Sequence, residues 1–375
     1  MSGVYLDNNA TTPLRPEAIA AVNAAMAEPG NPSSVHAAGR KALARMETAR
    51  AQVAALVGCI PGSVTFLSGG AEANALAIDS AIAAGFGRIV IGATEHPTVV
   101  ESAKASGLPV RVWPVDGQGV ADLAWLAETL ADGPRTLVCL MLANNETGVI
   151  QPVAEAAALV RAADGWLHVD AVQAAGKVAI DFNALGADTL ALSAHKIGGP
   201  QGVGALVAGP RSTLSRRLHG GGQERGRRAG TENGPGIAGF GAAAVAAVRD
   251  LPLITAQAAS RDALAARAEA AGAIVLGKSA PRLAQTLCLA LPGHPAELQV
   301  MGLDLAGVMI SAGSACSSGK VKASPVVEAM GLGDVAGFTV RFSGGWATTP
   351  EDWVRAGDAW LALAERHAAR QKERA

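Results

Sequence analysis

At 375 residues, half of them apolar and 17% charged, the chain is long enough for one large core and a smaller one, and too apolar to be disordered. A formal net charge of -1 excludes any global attraction to nucleic acid or an anionic membrane, and 3% aromatic residues leave no stacking platform for single strands. No stretch approaches the ~20 uninterrupted apolar residues that span a bilayer; the longest candidate, 236–248, is short and made mostly of Gly and Ala.

Residues 1–14 carry neither the basic nor the apolar region of a signal peptide, which predicts a cytoplasmic protein, and they read as an extended arm closed by a turn. Helices are predicted over 16–27 and 36–57, separated by the Pro/Gly/Asn break at 29–32. In the second, Leu43, Met46, Ala49, Val53 and Leu56 recur at helical spacing and predict one apolar stripe. From residue 63 short apolar runs alternate with helical stretches. Strands are predicted over 63–67, 88–91, 109–113, 136–142, 166–169, 189–192 and 204–207, with helices over 71–84, 99–106, 121–131 and 153–163. Runs apolar on both faces and joined by helices predict an α/β fold, a mainly parallel sheet with helices on both faces. Past Arg249-Asp250-Leu251-Pro252 the pattern shifts to a helix over 256–271, strands near 273–276, 285–290, 308–311 and 338–342, and a long last helix from Pro350. The expected division is a large domain over 15–250 and a smaller α+β domain built from 1–14 and 251–375.

Four cysteines at these spacings match neither a disulfide framework nor a zinc site. Cys59, Cys139 and Cys288 stand among apolar residues and read as small core hydrophobes. Cys316 differs: it lies in a Gly/Ser/Ala-rich run, about 311–324, whose composition predicts a mobile loop. It is either an incidental loop cysteine or a thiol that reaches a substrate, its thiolate favoured by Lys320 and Lys322.

Ligands of an open α/β sheet bind beyond the carboxyl ends of its strands, so polar residues there are the informative ones. Ser68-Gly69-Gly70-Ala71-Glu72 opens a helix and suits a phosphate, or is an ordinary glycine turn. Glu95-His96-Pro97 offers a His that stacks on an aromatic ligand or moves protons, or a polar turn. Asn144-Asn145-Glu146 orients a planar ligand or caps a turn. Asp170 ends a strand and needs a cationic or hydrogen-bonding partner; a pyridinium N–H serves, with Gln173 in reach of the same ligand. Lys196, between an apolar run and a Gly/Pro turn, is either a loop lysine with its stem packed down or an amine activated by burial. Arg341, at a strand end, grips a carboxylate or makes a structural ion pair. The Gly-flanked basic segment 219–231 suits a phosphate, a neighbouring subunit or an acidic partner. Phosphate cradle, stacking His, Asp for a ring nitrogen and Schiff-base lysine are together the parts of a pyridoxal-phosphate site.

These motifs carry a resemblance that runs nearly end to end: Tyr5-Leu6-Asp7-Asn8-Asn9, Thr94-Glu95-His96, Asn144-Asn145-Glu146, His168-Val169-Asp170, Ser193-Ala194-His195-Lys196, Ala229-Gly230-Thr231-Glu232-Asn233, Gly313-Ser314-Ala315-Cys316 and Arg341-Phe342-Ser343. The chain resembles cysteine desulfurases of the NifS/IscS type, within the class V aminotransferase group of fold-type I pyridoxal-phosphate enzymes. The resemblance implies a homodimer with pyridoxal 5'-phosphate in the large domain near the subunit interface, and a small domain carrying the cysteine loop. Lys196 then holds the cofactor as a Schiff base and serves as base at the substrate α-carbon. Asp170 pairs with the ring nitrogen, Gln173 with the ring oxygen, and His96 stacks on the ring. Gly70, Ala71, Ser193 and His195 surround the phosphate, with Thr231 of the partner subunit reaching it. Asn145, bordering the cofactor, and Arg341 hold the substrate carboxylate. The implied reaction converts L-cysteine to L-alanine and leaves a persulfide on Cys316, passed to a sulfur-acceptor protein such as an iron–sulfur scaffold. No metal site is implied beyond a contact of Cys316 with a cluster. Selenocysteine lyase or another class V reaction is the alternative, followed by a non-catalytic partner that kept the fold. Two departures stand out: Ala71 replaces the family's usual Thr, and Val321-Lys322-Ala323-Ser324 replaces an acidic Leu-Glu-Pro-Ser.

Overall fold

The computed structural model describes residues 3–313 and 323–374. The chain opens with strand β1 (Val4–Tyr5) and helices α1 (Pro16–Met26) and α2 (Ala37–Leu56). Met46, Ala49, Val53 and Leu56 are buried along α2 as their spacing predicts, but Leu43 is exposed. Gly39, in the first half of α2, packs closely against Ser34, and beyond it the buried stripe begins at Met46, about a turn later than predicted.

Seven strands make the central sheet: β2 (Val64–Leu67), β3 (Arg88–Gly92), β4 (Val110–Trp113), β5 (Thr136–Met141), β6 (Trp166–Asp170), β7 (Thr189–Ser193) and β8 (Gly204–Ala208). Their order is β2-β8-β7-β6-β5-β3-β4, parallel throughout except for β8, which runs antiparallel to both neighbours. Strands β5 to β8 are buried at every residue, which is why they read as unbroken apolar runs. Alternate residues point to opposite faces: Val90, Val138 and Val169 join one core, Ile89, Ile91, Leu137 and Cys139 the other. Helices α3 (Gly70–Ala83), α4 (Pro97–Ala105), α5 (Leu123–Ala131), α6 (Val153–Ala162) and the short α7 (Phe182–Leu185) connect the strands. The α/β architecture with helices on both faces is as the sequence predicts.

Helices α8 (Gly234–Arg249) and α9 (Leu251–Ala270) follow, bent by 59° across a break at Asp250. The helix predicted from 256 therefore begins at 251, because Pro252 falls in its first turn, where a missing N–H costs nothing. A second sheet comprises β9 (Ile274–Val275), β10 (Thr286–Ala290), β12 (Ser311–Ala312) and β13 (Thr339–Ser343), in the order β12-β13-β10-β9 and antiparallel. The strand predicted over 308–311 is in fact two. β11 (Val308–Met309) pairs in parallel with β1, and β12 with β13. Helices α10 (Ala296–Leu305), α11 (Pro325–Ala329) and α12 (Pro350–Arg374) complete the fold. A separate apolar core gathers Leu6, Leu287, Phe342, Trp353 and Trp360, so the amino-terminal arm packs with the last third of the chain. Among the described residues no single helix is long and apolar enough to cross a membrane.

Candidate active site

Lys196 closes a 3-10 turn, Ala194–Lys196, directly after β7. The amino-terminal arm crosses this turn: Thr12 N donates to His195 O, and Thr12 Oγ1 to Lys196 O. The Lys196 Nζ donates to the carbonyls of Asn9 and Ala10, each at 2.8 Å. Burial lowers its pKa to about 8, with Arg341 adding to the effect and Asp7 and Asp170 opposing it. A half-buried amine held by two carbonyls and with a lowered pKa is not a solvated loop lysine.

Asp170, the last residue of β6, is held by neutral donors. Its Oδ2 accepts from Asn74 Nδ2 at 2.8 Å and its Oδ1 from Val172 N at 2.9 Å. Asn74, on α3, is the hub of the layer beneath. Its Oδ1 meets His168 Nε2 at 3.0 Å, and its Nδ2 also donates to Thr98 Oγ1 at 2.9 Å. An amide oxygen only accepts, so His168 carries its proton on Nε2 and its Nδ1 accepts from Thr189. Burial drives the His168 pKa to about 4, consistent with that neutral ring. Thr98 N caps onto His96 Nδ1, which fixes His96 as the N-cap of α4 with Nδ1 as acceptor. Burial likewise lowers the His96 pKa. The polar turn anticipated at 95–97 and the ring beside the site are thus one and the same structure.

A cavity of about 390 Å³ joins these groups, lined by Gly69, Gly70, Ala71, His96, Asn145, Asp170, Gln173, Ser193, His195 and Lys196 among others. At one end lies the start of α3, where Gly69 is the N-cap and supplies no side chain to cap the first N–H groups. A Cβ at Gly69 meets nothing within 4 Å, while one at Gly70 stands 2.8 Å from Val172 Cγ2. Gly69, Gly70 and Ala71 all border the cavity, and the first N–H groups of α3 lack a side-chain cap, which makes the turn a cradle for an anion at a helix N-terminus. His195 beside it has its pKa lowered to about 4, first by burial and then by Lys196 and Lys177. The donor set fits pyridoxal phosphate: an anion cradle, an acceptor carboxylate and a buried amine lie around one cavity of suitable chemistry.

A second cavity, about 620 Å³, shares Ala10, His96, Asn145, Gln173 and Lys196 with the first and extends to Glu146, Gly313, Ala323 and Arg341. Arg341, on β13, donates through Nη2 to Asp7 Oδ1 at 2.7 Å and through Nη1 to Asn145 O at 2.9 Å. Its buried Nε has no partner among the described residues. The ion pair and an unsatisfied donor therefore coexist on one guanidinium. Gly313 and Ala323, the described residues on either side of 314–322, both border this cavity. Cys316, Lys320 and Lys322 lie outside the described residues. Thr231 is exposed and borders a different depression, with Ser68, Gly202 and Arg228, and a single chain does not bring it to the first cavity. Cys139 and Cys288 are buried as expected, whereas Cys59 is half-buried.

Sequence reasoning missed Asp7, Asn9, Asn74 and Lys177, all of which touch the groups above. Asp7 and Asn9 stood within a recognised motif but were assigned no role. Asn74 sits mid-helix and Lys177 follows the Asp170 strand by seven residues, so neither stands at a strand end.

The comparisons with known proteins agree with this geometry. Residues 4–355 match the aminotransferase class-V family model. The chain is 42% identical to a cysteine desulfurase of Cereibacter sphaeroides over 362 residues, 94% of this chain and 93% of that one. It is 42% identical to a cysteine desulfurase of Rhodobacter capsulatus, over 94% of each. The solved structure of a NifS-like protein from Rickettsia africae superposes with a TM-score of 0.89 at 31% identity, covering 97% of this chain and 99% of that one. The chain belongs to the aminotransferase class-V family, among its cysteine desulfurases.

Proposed function

We propose that the chain is a pyridoxal-phosphate-dependent cysteine desulfurase that converts L-cysteine to L-alanine and delivers the sulfur through Cys316. The observation that carries this reading is the pair of joined cavities sharing Lys196, one built around Asp170 and the α3 cradle, the other reaching Arg341. Gly70, Ala71, Ser193 and His195 would hold the phosphate, and Gln173, Asn145 and His96 would contact the ring. When bound, pyridoxal phosphate supplies an electron sink for the charge left at the substrate α-carbon.

The chain's own residues do the rest. Asp170, oriented by Asn74, would present its carboxyl group to the ring nitrogen. Arg341 and Asn145 grip the substrate carboxylate, Arg341 through the Nη1 and Nη2 hydrogens that the Asn145 carbonyl and Asp7 leave unused. Lys196, its pKa lowered to about 8, is deprotonated in roughly a tenth of molecules at pH 7, far more than an ordinary lysine, and takes the α-proton. The Cys316 thiolate attacks the substrate sulfur: an S–S bond forms, the Cβ–S bond breaks with its electron pair left on carbon, and protonation at Cβ with return of the α-proton from Lys196 yields alanine. The resulting persulfide passes to a sulfur-acceptor protein, as for iron–sulfur cluster assembly.

Two further features belong to this reading. A homodimer brings Thr231 of the partner subunit to the phosphate, and the two separate apolar cores support a large unit over 15–250 beside a small one from 1–14 and 251–375. The test is a turnover assay with L-cysteine and a thiol. Alanine and sulfide in equal amounts, abolished by Cys316→Ser, are expected. Pyruvate, or amino transfer to an oxo acid, overturns the reading.

A further inference from the structure

Lys177 is only 5% exposed, lines neither of the two joined cavities, and has no carboxylate partner among the described ion pairs. A lysine buried in this way is costly unless its donors are satisfied. Here they go to two amide oxygens: Nζ donates to Gln173 Oε1 at 2.7 Å and to Asn9 Oδ1 at 2.9 Å. Burial, with Lys196 and Arg341 nearby, lowers the Lys177 pKa well below that of a free lysine. The geometry does not depend on its charge, because even a neutral amine has two hydrogens to donate.

Each amide is locked at both ends. Gln173 Nε2 donates to Asn9 O at 2.9 Å, the same carbonyl that accepts from Lys196. Turning the Gln173 amide over sets NH₂ against the lysine amine and oxygen against a carbonyl, two repulsive contacts in place of two hydrogen bonds. Asn9 obeys the same logic. Its Nδ2 donates to Asn145 O at 3.1 Å and to Thr286 Oγ1 at 3.0 Å, and turning it over opposes its oxygen to the Asn145 carbonyl.

We propose that Lys177 is a positioning residue of the active site, fixing Gln173 so that its NH₂ and not its oxygen faces the cavity beside Lys196, and fixing Asn9 so that it ties Lys196 to Asn145. One of the two Gln173 N–H groups is used by Asn9; the other is the donor offered to an acceptor oxygen of the ligand. This consequence for ligand binding rests on the pyridoxal-phosphate reading above, whereas the amide lock itself does not.

The test is a double-mutant cycle, Lys177→Met against Gln173→Leu, read first in the ligand-free protein by urea unfolding. If Lys177 acts through Gln173, the second substitution costs much less once the first is present. Additive effects overturn the inference, and Lys177→Ala, which also removes the donor, serves the same cycle if the Met variant does not fold. The second reading is pyridoxal-phosphate binding. Lys177→Met is expected to weaken it about tenfold and to move the absorption maximum of the bound cofactor, with neither change appearing when Gln173 is already Leu. A band that stays in place in Lys177→Met, with only stability lost, overturns the positioning role. A parent protein that takes up no pyridoxal phosphate overturns the cofactor reading instead, and the ligand-free cycle still decides whether Lys177 holds Gln173.

Discussion

Arg341 Nη2 stands 2.7 Å from Asp7 Oδ1, so the start of the chain and a strand 334 residues later neutralise one another at the edge of the second cavity. The pair is lopsided in burial: the Arg341 side chain is 5% exposed and that of Asp7 22%. The arm bearing Asp7 also crosses the Lys196 turn through Thr12. One guanidinium thus fastens the arm, holds the Asn145 carbonyl and keeps a donor in reserve.

Asp7→Asn removes a charge-assisted hydrogen bond and is expected to lower stability by about 1.5 to 3 kcal/mol, measured by urea unfolding. Arg341→Lys leaves the charge but not the fork, since one ammonium does not reach Asp7, the Asn145 carbonyl and a carboxylate together. The KM for L-cysteine should rise more than kcat falls; the opposite split contradicts a carboxylate-binding role.

Lys196 sets a pH dependence with a definite sign. Its pKa is about 8 in the folded chain against 10.5 for an ordinary lysine. Between those values the unfolded chain holds the proton and the folded chain does not, so this residue's share of stability increases as pH rises from about 8 to 10.5. The same deprotonation exposes the nucleophile. Covalent uptake of pyridoxal phosphate by ligand-free protein should accelerate with a midpoint near pH 8, and Lys196→Ala should leave no label after borohydride reduction.

Glu95 shows the opposite sign. It is buried with Oε1 accepting from Met141 N and Oε2 without a partner among the described residues. Burial, then the charge of Asp170, lifts its pKa to about 8 from 4.5. The folded chain keeps this proton longer than the unfolded one, so its share of stability is lost as pH rises from 4.5 through about 8. Glu146, raised to about 7 by burial, acts in the same sense. Glu95→Gln should flatten the fall in urea midpoint between pH 6 and pH 9; an unchanged slope refutes the assignment.

Ala71 is exposed at the second position of α3, against the open side of the cradle. Ala71→Thr adds a hydroxyl at the proposed phosphate site and is expected to tighten pyridoxal-phosphate binding by about 1.5 to 3 kcal/mol, at least tenfold, by equilibrium dialysis. No change places the phosphate elsewhere.

Much of the site was legible because it obeys a local rule. Asp170 ends a strand, Lys196 closes the turn after one, and Gly70 and Ala71 open a helix after another, and the chain order of these elements is visible as alternating apolar runs and helical stretches. Element edges were less legible where a single residue resets a boundary, as Pro252 does for the start of α9. Arg341 shows a further limit. Ion pair and substrate grip were posed as alternatives, but a guanidinium has enough donors to serve both.

By itself the sequence determined the mainly parallel sheet and the residues placed at strand ends, since these follow from periodicity over a few residues. The tertiary structure alone decided what holds them. Asn74 reaches Asp170 across 96 positions, Lys177 reaches Asn9 across 168 and Arg341 reaches Asp7 across 334. No local pattern encodes such partners, because buried polar groups take whichever donors and acceptors folding brings within hydrogen-bond distance. Lys196 announces itself by its address after a strand. The amides that aim it, and the second lysine that aims the amides, exist as a unit only once the chain has folded.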